Sequence, residues 1–189
     1  NTCVFALRAM KSLGDPARND SKGCGGVMRV APAGLFAWRV GQQDAPQETF
    51  RLGAELAALT HGHPTGALTG GVLAVLIQGL TDGATLSDVL NTAKSILRAE
   101  ANHEEALCSL EKAEELARTK ILPREAIEQL GQGWVAEEAL AISVYCALVA
   151  KSFQHGILIA VNHDGDSDST GAITGNLLGA MYGVKSIPS

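Results

Sequence analysis

Apolar residues along the chain recur at three- and four-residue intervals and almost nowhere alternate with polar ones, which predicts helices rather than half-buried strands. Residues 2–13 set Val4, Ala6, Leu7 and Met10 on one stripe and meet a stop at Gly14. After a loop, residues 27–40 resume an apolar helical run through Met28, Leu35 and Trp38. Residues 46–60 then space Leu52, Leu56 and Leu59 for a helix opened by Pro46. Residues 68–80 are apolar nearly all round, so they predict a central helix, ended by Thr81, Asp82 and Gly83. Residues 86–99 and 104–118 are amphipathic, and the charge of the second, Glu104 and Glu105 included, reads as a solvated face without a functional role. A short helix at 125–130 leads through Gly131, Gln132, Gly133 and Trp134 to residues 136–150, which carry little polar surface after Glu137 and Glu138 and read as buried. The apolar segment 153–161 fits a strand or the last turns of a helix, and periodicity does not separate the two. In the final helix Gly171, Gly175, Gly179 and Gly183 recur every fourth residue. Four glycines cost a helix about 3–4 kcal/mol relative to alanine, a cost that close approach of a neighbouring backbone would explain. With no internal repeat or low-complexity linker, the pattern predicts one all-α domain over residues 1–189, built of eight or nine helices.

Composition narrows the class further. The 189 residues are 46% apolar and 19% charged, enough for a sizeable core. A net charge of −5 lacks the basic footprint of a polyanion binder, so nucleic acid is not expected as a partner. Cys3, Cys24, Cys108 and Cys146 are scattered without CxxC spacing, which suits free thiols in a reducing cytoplasmic setting. No stretch reads as a signal peptide, and the longest apolar run noted, 139–150, is too short to span a bilayer, so no membrane partner is expected. Position 1 is Asn rather than Met, and we read the numbering as beginning inside a longer gene product or after processing.

The densest chemistry lies in HDGDSDSTGAITG, residues 163–175. Asp164, Asp166 and Asp168 stand at alternate positions, accompanied by the hydroxyls of Ser167, Ser169 and Thr170. Two carboxylates about 5 Å apart repel by roughly 3 kcal/mol at an effective dielectric of 20. Hard oxygen donors at this spacing suit magnesium, calcium or manganese rather than zinc. An EF-hand is excluded, because its sixth position would be Ser169 where glycine is needed and its twelfth Gly175 where a bidentate glutamate is needed. Two readings stay open here: Ser169 or Thr170 simply caps the following helix, or a cation is bound as well.

A second candidate is the glycine-rich loop DPARNDSKGCGG ahead of the helical run at 27. Such a loop presents backbone N–H groups at the positive end of a helix and suits a phosphate or diphosphate, although it matches neither GxGxxG nor a Walker pattern and glycine loops are also plain turns. A third is THGHPTG, where His61 and His63 flank Gly62 at a junction between two helices. A hydrogen-bonded corner, a substrate contact and a metal site all fit that pair, and no third nitrogen or sulfur ligand nearby points to zinc. Glu137 and Glu138 read as residues of a first helical turn.

Four blocks together, NDSKGCGGVMRVAPAGL, LTHGHPTG, LGQGWVAEEALAISVYCAL and VNHDGDSDSTGAITGNLLGAMYG, resemble the ADP-ribosylglycohydrolase family, in the same order and over almost the whole chain. The resemblance implies an all-α fold, a pair of Mg2+ or Mn2+ ions, and removal of ADP-ribose from a modified side chain such as arginine. The partner implied is an ADP-ribosylated protein or a small ADP-ribosyl conjugate. The family's late Asp-x-Asp-Thr/Ser metal motif falls on Asp166, Asp168 and Ser169, and its ADP-ribose contacts fall on Ser21, Gly23, Cys24, Gly25, Gly26 and His61. Cys24 stands where many members have Asn, and the family's early Thr-Asp-Asp motif and acidic catalytic candidates have no counterpart in this sequence. The chain therefore reads as the larger C-terminal part of such a protein, with its general base upstream. Three readings compete: a metal-dependent hydrolase, an ADP-ribose-binding module without turnover, and a helical interaction domain that does neither.

Overall fold

The helix whose apolar residues face every way lies at the centre. In a computed structural model that describes residues 2–41 and 45–188, this helix, α4, runs over Pro64–Thr81, and Val72, Leu73, Leu76 and Ile77 are shut off from solvent. It is 18 residues long and apolar enough to cross a bilayer, but 78% of it is buried inside the molecule, as expected of a core helix. Around it are α1 (Thr2–Ala9), α2 (Ala31–Arg39), α3 (Pro46–Ala58), α5 (Leu86–Leu97), α6 (Glu104–Ala117), α7 (Pro123–Leu130), α8 (Ala136–Val149), α9 (Phe153–Val161) and α10 (Ser167–Tyr182). Among the described residues there are ten α-helices, two single 3-10 turns and an isolated antiparallel bridge between Gly23 and Val135. The fold is all-α, with one or two helices more than the periodicity predicts.

Helix α3 packs most closely on α4, because Gly53 and Gly70 leave no side chain between them: a Cβ on Gly53 would stand 2.6 Å from the Gly70 carbonyl oxygen. Helices α2, α5, α8 and α10 close the other sides of α4, and α6 lies outside α8. Several boundaries differ from the pattern for local reasons. The run predicted at 27–40 divides into a 3-10 turn at Val27–Arg29 and then α2, because Pro32 has no N–H to continue a helix through that point. The first helix stops at Ala9, where Ser12 and Asp15 make their own turn, and of its predicted stripe only Ala6 is buried. Residues 153–161 are helical, opened by Ser152, whose hydroxyl accepts from the His155 N–H. On α10 a Cβ at Gly171 would stand 2.7 Å from Val161 Cγ1, which accounts for that glycine. Nothing lies within 4 Å of a Cβ at Gly179, so close packing does not account for the whole series.

The chain's turns bring the N-termini of α4, α8 and α10 to the same end of the molecule as the glycine-rich loop. His63 caps α4 and donates its backbone N–H to the Ser21 carbonyl. Ala136, first in α8, donates to the Lys22 carbonyl at 2.8 Å. Asp166 immediately precedes α10 and receives a hydrogen bond from the Cys24 thiol.

Candidate active site

The glycine loop at residues 21–26 is held from three sides. Asn19 accepts from the backbone N–H of Ser21 and of Gly62 and donates to the Thr60 carbonyl, tying the loop to the histidine corner. Arg29 reaches back to the Gly25 carbonyl at 2.8 Å and to the Leu56 carbonyl at 2.7 Å. Residues 22–24 pair with 134–136: the Cys24 N–H donates to the Trp134 carbonyl at 3.1 Å, beside the Gly23–Val135 bridge. Among the described residues the N–H groups of Gly25 and Gly26 have no acceptor. Gly25 is half-buried and Gly26 is buried.

The two histidines of THGHPTG do different things. His63 Nδ1 accepts from the Thr65 N–H and caps α4, which is the hydrogen-bonded corner. His61 is 2% exposed, shares a 2.8 Å hydrogen bond with the Thr60 hydroxyl, and lies flat behind the loop. A Cβ on Gly23, Gly25 or Gly26 would meet its ring at 3.2–3.5 Å, so the absence of side chains lets the loop rest on the imidazole. Burial, and then the Arg29 charge, lowers its pKa and keeps it neutral.

The acidic stretch divides. Asp164 turns outward to Arg124. Asp166 is 7% exposed, with Asp168 and Ser169 following in the first turn of α10. Burial opposes the charge of Asp166, but hydrogen bonds from Asp168, Cys24 and Ser169 outweigh it and hold its carboxyl below the ordinary range. The same hydrogen bond to Asp166, together with its charge, raises the exposed Asp168. The two carboxyls are thus pushed in opposite directions by their closeness, the crowding anticipated from the sequence. Ser169 is not a cap, and neither is Thr170: the N-cap is Asp166 and no side chain caps the helix. The Thr170 hydroxyl is turned back to the carbonyls of Ala160 and Asp166 and meets His163 Nε2 at 2.9 Å. Capping alone thus does not explain these hydroxyls. The Ser169 hydroxyl faces two sulfurs, Cys24 Sγ at 3.4 Å and Met28 Sδ at 3.5 Å.

Residues 131–136 join the two loops. The Gln132 carbonyl accepts from Asp166 N–H at 2.7 Å, and the Trp134 carbonyl accepts from Cys24 N–H. Glu138 fixes this segment by accepting from the N–H groups of Gln132 and Gly133 at 2.9 and 3.1 Å. Gly133 sits at φ +81°, and a Cβ on Gly165 would fall 1.9 Å from the Gln132 carbonyl oxygen. Trp134 leaves its indole 58% exposed beside the loop. In the sequence these residues read as a connector inside one of the four family-like blocks, with no role of their own.

It also passed over Lys22, which pairs with Glu105 and, at 2.5 Å, with Glu137. Glu105 additionally accepts from the Thr65 hydroxyl at 2.7 Å. That residue is part of the loop's support and not of a purely solvated face. Glu137 is 6% exposed, and its Oε2 has no partner among the described residues. Both residues belong to blocks quoted above, but a pairing across 83 or 115 positions leaves no local signal.

Whether a divalent cation suits this end of the molecule is a question of donors. Asp166, Asp168 and Ser169 offer two carboxylates and a hydroxyl around the first turn of one helix. That set fits a hard cation. It is part of one coordination shell: among the described residues no three His, Cys, Asp or Glu side chains come together as a metal-binding group.

A family profile for ADP-ribosylglycohydrolase matches residues 1–189. ADP-ribosylhydrolase ARH3 of Mus musculus is 30% identical over 207 aligned positions, covering 92% of this chain and 54% of that protein. An uncharacterized protein of Archaeoglobus fulgidus is 28% identical, covering 83% of this chain and 48% of its own length. The ADP-ribosyl-[dinitrogen reductase] glycohydrolase of Rhodospirillum rubrum is 49% identical over 41 positions, 22% of this chain. The chain spans about half the length of the longer-aligned curated relatives.

Proposed function

Because the chain belongs to the ADP-ribosylglycohydrolase family, we propose that the protein is a metal-dependent hydrolase that releases ADP-ribose from a modified side chain, arginine being the favoured one, or from a small ADP-ribosyl conjugate. The observation that carries this reading is that a glycine loop whose Gly25 and Gly26 N–H groups have no acceptor among the described residues lies against the acidic turn, Cys24 touching both Asp166 and Ser169. A diphosphate on the loop would leave the adjoining ribose near the carboxylates. Ser21, Gly23, Gly25 and Gly26 bind the diphosphate in this reading, and His61 props the loop from behind. Asp166, Asp168 and Ser169 would hold Mg2+ or Mn2+, two ions being the expectation for the complete protein. Such ions, when bound, lower the pKa of water and orient ribose hydroxyls. The carboxylates of Asp166 and Asp168 also offset the positive charge that grows on the ribose as the glycosidic bond lengthens. Water adds to the anomeric carbon, the bond to the side-chain nitrogen breaks, and that nitrogen leaves with a proton. The partial shell favours a second reading, an ADP-ribose-binding module without turnover.

Assay of ADP-ribose release from an ADP-ribosyl-arginine substrate, with magnesium or manganese present, separates the two. In the full-length protein, Asp166→Asn and Asp168→Asn should each remove most of the metal-dependent release while circular dichroism and melting stay near wild type. Wild-type turnover in either variant, at unchanged metal content, would overturn the ligand assignment. Binding of ADP-ribose without any release would leave the second reading standing.

A further inference from the structure

The Cys24 side chain does not point out of the glycine loop toward a ligand; it points inward, where it is buried and its thiol donates to Asp166 Oδ2 at 2.8 Å. Its sulfur also lies 3.4 Å from the Ser169 hydroxyl, while its backbone is fixed by donation from its N–H to the Trp134 carbonyl. A carboxylate oxygen has two lone pairs. The thiol occupies one and sets the plane of the Asp166 carboxylate, leaving the second lone pair and Oδ1 for another partner. We propose that Cys24 is a positioning residue: it orients Asp166 for a divalent cation and does not contact ADP-ribose. This rests on the reading above that Asp166, Asp168 and Ser169 hold that cation. It also replaces the expectation from family resemblance that Cys24 belongs with the ADP-ribose contacts.

Burial makes the thiol's hydrogen bond matter. Asp166 has almost no access to water, so water does not take the place of the lost thiol and the carboxylate gains torsional freedom. A serine hydroxyl can donate in place of the thiol; an alanine methyl cannot.

The test uses the purified protein with Cys24→Ala and Cys24→Ser, and measures two dissociation constants by calorimetry: manganese alone, and ADP-ribose at saturating manganese. Loss of one hydrogen bond to a charged group should raise the manganese constant of Cys24→Ala about tenfold. Cys24→Ser should stay within about threefold of wild type, and neither variant should change the ADP-ribose constant once manganese saturates. An unchanged manganese constant in Cys24→Ala overturns the proposal, as does weaker ADP-ribose binding with manganese uptake intact. A wild-type protein that takes up no manganese overturns it as well. Manganese uptake without ADP-ribose binding sinks the proposed function instead, and leaves the effect of Cys24 on the cation to be read directly.

Discussion

His61 is a neutral wedge beneath a loop of glycines, and its environment gives it a measurable signature. The unfolded chain holds a proton on this imidazole up to the ordinary value of 6.5, whereas in the fold burial and Arg29 lower that limit. Within the window between the two values the unfolded state binds more protons, so stability falls as pH falls. Melting of wild type should therefore drop between pH 7.5 and 5 more steeply than melting of His61→Gln; parallel curves would remove His61 as the source. Because the ring props Gly23, Gly25 and Gly26, the same variant should bind ADP-ribose more weakly while cation uptake is unaffected. Lost cation uptake with ligand affinity kept would exchange the two roles. The Cys24 thiol is not a reactive nucleophile, since burial and then the bond to Asp166 push its pKa up to about 11.

At the scale of elements, the segment 131–136 decides whether two loops meet. Its carbonyls face both ways, to Asp166 and to Cys24, and Glu138 holds it from behind. Gly165→Ala would drive a methyl into the Gln132 carbonyl. Overpacking of this kind should lower the melting temperature by roughly 3–10 °C and weaken cation uptake together with it, a pairing that calorimetry and thermal melting can check. A change in neither would show that the two backbones separate without cost. None of this was legible in the sequence, because the groups involved are backbone amides and carbonyls, which every residue carries. The helices were legible, since apolar spacing is a local property and α4 displays it on all sides. Pro32 was a local signal too, but it was outweighed by the apolar run around it. The acidic cluster stood out from the sequence by charge density and the family resemblance picked Asp166, Asp168 and Ser169 within it, whereas the support given by Lys22, Glu105 and Glu138 depends on partners that folding alone brings near.

For the molecule as a whole, the donor count limits what these 189 residues do unaided. Two carboxylates and one hydroxyl do not balance the four positive charges of a two-ion centre, and the described residues contain no further metal-binding group. Titrated by themselves, residues 1–189 should take up at most one magnesium or manganese ion, weakly, and release no ADP-ribose from an arginine substrate. Clear metal-dependent turnover would mean that the chain contains its own base and second ligand set.

The contact between Cys24 and Asp166 joins positions 142 apart. At ribosomal speeds of about 5–20 residues per second, roughly 7–30 s separate the synthesis of the two partners. Throughout that interval the nascent glycine loop lacks its carboxylate, and the Cys24 thiol has no Asp166 to donate to. Closure of this end of the molecule therefore waits for Asp166, after α4 has had time to gather α2 and α3 around it.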